Sequence, residues 1–427
     1  MGTRALSPLG RVAACASAAL ALAGASYAGG GKGEQGLALF ASKALIASWE
    51  GDQVIDHAVV LVKDGRIEAV GPRGSTPVPE GYERIDVGSR WLMPGMIDLH
   101  THIGGTGRDI NDMVYQTNEG LRVSPAVEPR NPMLQREVAA GITTVLFIPG
   151  SGTNIGGAGI LLKTGLDTFE AMRIRDPGSL KIAQADNPAR WGYGMGRITL
   201  NYHIRGTVRR GLVYARAWRE HEAGRAPRPA KNVQYEVFRD LLEKRTQIST
   251  HTQVYQVVLT TITMLRGEFG LDVYIDHGEW KGFLAAELAR EMQVDAIIGP
   301  RQIDTFQGRI DTDGRILGVA AGYQERGLER VGFNTDAPVV PGEELPLQSA
   351  VGARYGFDNS AMQAVRALTI VPAMTAGIAD RVGSLESGKD ADIAVVTGDP
   401  SDPRSAVELV FIEGRKVYEV GDGPRRW

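Results

Sequence analysis

The chain has 427 residues, of which 43% are hydrophobic and 23% charged, and its formal net charge at pH 7 is −3. That length suffices for one large domain with an extended core plus a smaller one. The near-neutral charge argues against nucleic acid as a partner, and the single cysteine, Cys15, excludes an intrachain disulfide.

The first 28 residues have the pattern of an export signal. Arg4 and Arg11 supply a positive start, an apolar run of small residues covers 12–25, and 26–28 offers a cleavage site. The run is too short for a comfortable membrane span. We therefore expect a periplasmic or secreted protein without a membrane span in the mature chain. Lipoprotein-type cleavage before Cys15 and a disordered alanine-rich tail are the alternatives.

Both ends of the remaining chain show β-strand patterns. Asp64 and Gly65 separate two apolar runs, which predicts a hairpin. Near the C-terminus, 392–397 predicts a strand and 408–420 predicts a second hairpin around Gly414. We expect 29–93 and 385–427 to form one small composite β-sandwich domain.

The middle segment, 94–384, alternates between strand-like and helix-like stretches. Eight such repeats predict an α/β fold, a (β/α)₈ TIM barrel. A doubly wound open sheet is the alternative, but no glycine-rich phosphate loop follows an early strand, and the glycine-dense loop 152–157 has neither known spacing. The expected strands cover 94–102, 141–150, 158–164, 179–184, 247–251, 271–277, 294–299 and 331–336.

Four of the seven histidines fall at expected strand ends. His100 and His102 alternate along one strand, so both imidazoles point to the same face. His251 ends the fifth strand, His277 the sixth, and Asp336 the eighth. Because active sites of such barrels lie at the carboxyl ends of the strands, these side chains predict a metal centre.

Several segments resemble motifs of the amidohydrolase superfamily, most closely its imidazolonepropionase-like or prolidase-like branch. The resemblance covers nearly all of 37–420. It implies one or two divalent metal ions, commonly zinc, and hydrolysis of C–N bonds through a metal-activated water. The segments are Pro-Gly-Met-Ile-Asp-Leu-His-Thr-His at 94–102, Ser-Thr-His at 249–251, Ile-Asp-His-Gly at 275–278, Asn-Thr-Asp-Ala-Pro at 334–338 and Gly-Ser-Leu-Glu-Ser-Gly-Lys-Asp-Ala-Asp-Ile at 383–393.

The resemblance also implies roles for single residues. His100 and His102 match ligands of the more buried metal. His251 and His277 match ligands of a second metal, or substrate contacts where only one metal binds. Asp336 matches an aspartate that binds metal and transfers protons, so His277 and Asp336 are the predicted catalytic residues.

The ligand on the fourth strand is less clear. Relatives of this branch are expected to carry Gly-Glu-Asn-Pro there, and this chain has Ala-Asp-Asn-Pro at 185–188. Asp186 is therefore the predicted bridging ligand, with a turn or helix-cap role as its alternative. Lys181 and Lys163, if carboxylated, are the other candidates for the bridge.

Substrate contacts are expected from the arginine-rich segment 187–230, which would cap the barrel mouth. We select His203 and Arg205, which implies a carboxylate-bearing small molecule such as a dipeptide or N-acyl amino acid. A lactone or phosphoester hydrolase, a deaminase or isomerase, and a non-catalytic binding protein are the alternatives. The sequence leaves open whether the chain forms homo-oligomers.

Overall fold

The computed structural model describes residues 36–51, 54–113, 115–184, 187–189, 196–304 and 316–422. The predicted export signal, Cys15 and Asp186 lie outside the described residues. Among the described residues, no helix combines the length and the apolar character needed to cross a bilayer.

Strands and helices alternate through much of the chain. In chain order the described strands are β1 (Leu37–Leu45), β2 (Val54–Lys63), β3 (Arg66–Pro72), β4 (Glu83–Asp86), β5 (Trp91–Pro94), β6 (Met96–Thr101), β7 (Ile142–Phe147), β8 (Ile155–Lys163), β9 (Arg173–Ala183), β10 (Gln247–Val254), β11 (Ile275–Trp280), β12 (Ala296–Ile298), β13 (Val331–Phe333), β14 (Ile393–Val396), β15 (Val407–Ile412) and β16 (Arg415–Glu419). The described helices are α1 (Pro132–Ala139), α2 (Phe169–Met172), α3 (Arg197–Glu222), α4 (Val237–Leu242), α5 (Tyr255–Thr261), α6 (Ala286–Glu291), α7 (Val319–Gln324), α8 (Leu345–Arg354), α9 (Gln363–Leu368) and α10 (Ile370–Thr375).

One sheet takes its strands from both ends of the described chain. Its order is β16-β15-β14-β5-β1-β2-β3, with β4 also paired to β1. The two ends meet where β14 pairs antiparallel with β5. The predicted hairpin is confirmed in β2 and β3: Lys63 pairs with Arg66, and Asp64 and Gly65 both have positive φ, as the tightest hairpin turns require.

The other sheet forms the wall of a nearly closed barrel. Its strands follow chain order from β6 to β13, whereas a doubly wound sheet reverses its order. A parallel bridge between Thr101 and Ala337 links the first strand to the residues after the last. The backbone N–H of His102 also donates to the carbonyl of Ala337 at 2.8 Å. Strands occur in all eight segments where the sequence predicts them.

The expectation of eight regular strand–helix repeats is wrong at β8. This strand runs antiparallel to β7, with Thr144 opposite Lys163, and antiparallel to β9, with Ala158 opposite Leu180. The connection 148–154 is too short for a parallel crossover, which needs at least about 10 residues. An apolar run predicts a strand but carries no information on its direction. As a result, the C-terminal end of β8 lies at the opposite edge of the barrel from the other strand ends.

Helices cover the outside of the barrel with apolar stripes. In α1, the side chain of Asn131 accepts a hydrogen bond from the backbone N–H of Met133, and Pro132 occupies the first turn. The long helix α3 buries a stripe at four-residue spacing that includes Leu200, Ile204 and Val208. The largest hydrophobic cluster draws side chains from both sheets and from these helices.

Candidate metal centre

Strand β6 brings His100 and His102 to the mouth of the barrel and is fixed there by Asp98. The carboxylate of Asp98 accepts hydrogen bonds from the backbone N–H of His100 at 3.0 Å and from the hydroxyl of Thr335 at 2.5 Å. Burial raises the pKa of Asp98 to about 7. These contacts hold the first strand of the barrel beside the residues that follow the last strand.

The five side chains predicted from the strand ends converge on one place. The Nε2 atoms of His100 and His102 lie 3.4 and 3.2 Å from Oδ1 of Asp336. The ring of His277 lies 4.5 Å from that of His100 and 4.4 Å from that of His251, measured between centroids. One donor atom each from His100, His277 and Asp336 lies within 4.8 Å of the others, a spacing that suits a single ion.

Hydrogen bonds at the far side of the rings set which nitrogen faces the cluster. Nδ1 of His102 lies 2.9 Å from the carbonyl of Ile148, and Nδ1 of His277 lies 2.8 Å from the carbonyl of Gly299. A carbonyl only accepts, so each Nδ1 carries the hydrogen and donates. Nε2 of His277 is therefore left with a free lone pair, the form that ligates metals, whereas Nε2 of His102 faces Oδ1 of Asp336 at 3.2 Å.

Three buried ring nitrogens in the cluster lack a hydrogen-bond partner among the described residues. They are Nδ1 of His100, which faces Asp276, and Nε2 of His251 and of His277, which lie between neighbouring rings. A buried polar atom without a partner is costly, and a cation between the rings would satisfy the two Nε2 atoms. Burial lowers the pKa of His277 to about 4 and that of His251 well below its usual value, so both rings are neutral. The nitrogen and carboxylate donors fit a divalent cation such as zinc.

The backbone at two of these residues adopts an uncommon conformation. His277 and Asp336 have φ values of 67° and 51°, in the left-handed region. Such conformations cost about 1–3 kcal/mol and cluster at active sites. Burial opposes ionisation of Asp336, but its hydrogen bond with Nε2 of His102 lowers the pKa of this carboxyl below its ordinary value. Asp336 is accordingly an ionised acceptor within the cluster.

Comparison with known proteins gives the same family as the sequence motifs. A model described as "Amidohydrolase family" matches residues 319–417. The amidohydrolase tasK of Hapsidospora irregularis is 24% identical over 411 residues, 87% of this chain and 40% of that protein. Imidazolonepropionase of Brucella anthropi is 31% identical over 125 residues, 24% of this chain and 31% of that enzyme. The chain thus spans less than half the length of these curated relatives.

A solved structure extends the similarity to the whole fold. The amidohydrolase from Thermotoga maritima MSB8 superposes with a TM-score of 0.78 at 26% identity, covering 90% of this chain and 100% of that one. The family model, the curated relatives and this structure all make the chain similar to members of the amidohydrolase superfamily. The resemblance predicted from the sequence motifs is confirmed. The stretch matched by the family model contains Asp336 but none of the four clustered histidines.

Two further ionisable residues reach the histidine cluster. Nζ of Lys181 lies 3.0 Å from Nε2 of His100 and donates to the carbonyl of Thr250 at 3.0 Å. Burial lowers the pKa of Lys181 to about 8. On the other side of the ring, Oδ1 of Asp276 lies 3.3 Å from Nδ1 of His100. The sequence motifs predicted Lys181 only as a candidate bridging ligand and predicted no role for Asp276. Each is a charged residue inside an apolar strand, a pattern that indicates a functional position.

Lys163 does not contribute to the cluster, and its candidacy as a bridging ligand is wrong. Its Nζ donates to Asp390 at 2.7 Å and to Asp392 at 3.1 Å, and it lies 3.3 Å from a carboxylate oxygen of Glu413. The reversed direction of β8 is the reason, because it carries Lys163 to the edge of the barrel opposite His100. Among the described residues, Lys181 is the remaining candidate for the bridge.

The predicted substrate contacts lie on the long helix α3 rather than in the cluster. Arg205 is exposed, and its Nε donates to Glu268 at 2.8 Å. His203 packs edge-on against the ring of the exposed Tyr202. None of the contacts described for either residue reaches the histidine cluster.

A different arginine stands beside the cluster. Arg301 follows β12, and its Nη1 donates to both carboxylate oxygens of the buried Glu279 at 3.1 Å. Glu279 lies on β11 two residues after His277. The side chain of Arg301 remains 45% exposed. The Pro300–Arg301 step directly after an expected strand was the signal that the sequence analysis did not use.

Proposed function

We propose that this protein hydrolyses a C–N bond of a small amide, dipeptide or cyclic amide with a divalent metal ion, zinc, bound in the histidine cluster. Similarity to members of the superfamily supports a hydrolase acting on C–N bonds. The observation that carries the proposal is the pair of buried imidazole nitrogens without a partner, on His251 and His277, facing the carboxylate of Asp336.

The residues of the cluster would have different roles in metal binding and proton transfer. His100, His102, His251, His277 and Asp336 would hold the metal, and a carboxylated Lys181 or Asp186 would bridge to a second ion. When bound, zinc lowers the pKa of a water molecule from about 15.7 to about 7 and polarises the substrate carbonyl. Asp336 accepts a proton from the attacking water and returns it to the leaving amine, because its carboxylate is ionised and lies at the open end of the barrel.

Arg301 supports a substrate that carries a carboxylate. Glu279 engages only one terminal nitrogen of the guanidinium, so the exposed remainder of the side chain is free to pair with an anionic group. Arginine binds carboxylates in a planar two-bond geometry. A dipeptide or N-acyl amino acid has such a group next to its scissile bond.

The test combines metal analysis with substrate screening. Purified protein is expected to contain at least about one equivalent of zinc or another divalent metal. We expect turnover of dipeptides, N-acyl amino acids or cyclic amides, with lactones, phosphoesters and aminated heterocycles as comparison substrates. Metal-free protein that stays inactive after addition of zinc or manganese would favour a binding protein instead.

The first prediction concerns Asp336. Asp336→Asn keeps the shape of the side chain but removes the proton acceptor, so turnover should fall by about 10²-fold or more. The exposed Asp167→Asn is the matched control and should retain full turnover. Unchanged turnover in Asp336→Asn would show that this residue does not transfer the proton.

We also propose that the chain is exported. Detection of the protein in a periplasmic or culture fraction tests this proposal.

A further inference from the structure

A second polar site lies at the other edge of the barrel. A cavity of about 340 Å³ is lined by residues that open consecutive strands, among them Gln247 of β10 and the residues just before β11, β12 and β13. Gln247 precedes His251 on the same strand by four residues, which separates their backbones by about 13 Å. The cavity is therefore separate from the metal centre.

Cations outnumber carboxylates around this cavity. Asp272 is shared by Arg266, at 2.6 Å, and Lys244, at 3.5 Å. Asp295 pairs with Arg330 at 2.9 Å. The remaining lining cation, Arg175, has no carboxylate within ion-pair distance among the described residues. The lining thus carries an excess of positive charge.

Arg175 is held rigidly by neutral acceptors. One terminal nitrogen, Nη2, donates to the carbonyl of Gly178 at 3.0 Å and to Oε1 of Gln247 at 2.7 Å. Its Nε is buried and has no partner among the described residues. Because burial disfavours the charged form, the pKa of Arg175 is lowered. The guanidinium is nevertheless charged at neutral pH, since arginine does not lose its proton in proteins.

Two neighbouring side chains that line the cavity also lack partners. The contact with Arg175 fixes Oε1 of Gln247, so its Nε2 carries both hydrogens, and this atom is buried without an acceptor. The hydroxyl of Thr246 is buried and unpartnered as well. These two residues are only 7% and 2% exposed. Three hydrogen-bond donors on neighbouring side chains therefore border one cavity, and none of them has an acceptor within hydrogen-bond distance among the described residues.

We propose that this cavity binds a small oxyanion, a phosphate or carboxylate group, through Arg175, Gln247 and Thr246. An oxyanion offers several acceptor oxygens and supplies a counter-charge to the half-buried guanidinium of Arg175. The bound anion joins β9 to β10 beneath the barrel. It stabilises the folded chain because the unfolded chain has no such site.

The experiment measures binding of inorganic phosphate and of acetate to the full metal-loaded chain by calorimetry and thermal unfolding. Sodium chloride at equal ionic strength is the reference. We expect a saturable rise in Tm with one or both oxyanions and no such rise with chloride. The response to phosphate against acetate tells which oxyanion the cavity prefers.

Variants separate this cavity from the metal centre, which also attracts anions. Arg175→Gln should weaken oxyanion binding at least tenfold, whereas Arg205→Gln, which removes an arginine on the outside of α3, should leave it unchanged. Gln247→Glu is the second test, because it places a permanent carboxylate beside Arg175. This variant should fold and keep its metal but should no longer bind the oxyanion. Equal affinity in the wild type and both cavity variants would overturn the proposal. So would the absence of saturable binding, which would mean that water fills the cavity.

Discussion

At the scale of single residues, the ring of His100 has the most constrained surroundings in the site. Lys181 approaches one nitrogen at 3.0 Å and Asp276 approaches the other at 3.3 Å, and all three side chains are buried. The amino group of Lys181 thus lies against a predicted metal ligand, and a carboxylated Lys181 would place an oxygen donor beside it. Periodicity predicted the histidines of this site because they end strands, but it could not rank Lys181, which lies within a strand.

Lys181→Gln should reduce the metal bound per chain, because it removes the one described side chain in position to bridge. We expect loss of about half the metal or more, measured by elemental analysis of the folded variant. Lys63→Gln, at the exposed end of β2, is the control and should keep the wild-type content. A wild-type metal content in Lys181→Gln would favour Asp186 as the bridging ligand.

Arg301→Met should raise KM for carboxylate-bearing substrates by about tenfold or more and change kcat little, because the arginine binds a remote group equally in the ground and transition states. The corresponding substrates with a neutral amide in place of the carboxylate should show no change. Arg205→Gln is expected to leave KM unaltered. The reverse pattern, with KM sensitive to Arg205 and not to Arg301, would restore the contact first predicted from the sequence.

At the scale of elements, the position of a strand was predictable and its direction was not. Alternating or continuous apolar runs located all eight barrel strands, yet β8 runs opposite to its neighbours. The choice of arginine failed for a related reason: a long polar segment such as α3 does not reveal which of its faces meets the barrel. The helix α1 shows the same limit, because Glu137 lies on its buried face beside Leu134 and Val138.

Glu137 predicts a dependence of stability on pH. Both of its carboxylate oxygens are buried without a partner among the described residues, and burial raises the pKa of Glu137 well above its usual 4.5. The folded chain therefore holds a proton that the unfolded chain releases. The associated stability is present below about pH 4.5 and is lost as the pH rises through the folded-state pKa.

Glu137→Gln removes this titration while keeping the shape of the side chain. Its unfolding midpoint in urea should exceed that of the wild type at pH 9, and the difference should shrink or reverse toward pH 5. Glu170→Gln, on the exposed side of α2, should show a constant difference across this range. A difference between Glu137→Gln and the wild type that does not vary with pH would contradict the assignment.

At the scale of the whole molecule, one buried lysine connects the barrel to the other sheet. Lys163 ends β8, and its partners Asp390 and Asp392 lie just before β14, with the lysine and both aspartates almost fully buried. Arg381 adds a further ion pair to Asp390 at 2.8 Å. The sequence offered Lys163 as a metal ligand because it lies at the end of a predicted strand and could be carboxylated. Its actual partners come from a distant part of the chain, which no local pattern reports.

Lys163→Met should destabilise the chain by about 3–5 kcal/mol, since it leaves the buried carboxylate of Asp392 without a cation and removes one of the cations beside Asp390. The measurement is the free energy of unfolding, with metal content as a second readout that should match the wild type. Lys163→Met combined with Asp392→Asn should recover part of the loss. A lower metal content in folded Lys163→Met would instead support Lys163 as a metal ligand.

The contact between the first barrel strand and the residues after the last one determines the shortest segment of chain that can be active. The hydroxyl of Thr335 reaches Asp98 across 237 residues, and the clustered side chains begin at His100 and end at Asp336. A proteolytic cut or a gene truncation inside that interval leaves each fragment with an incomplete ligand set. In proteins whose metal ligands lie on one hairpin or one helix pair, a short segment can form the site. Here the clustered side chains come together only when the barrel closes, so the site cannot be divided between fragments.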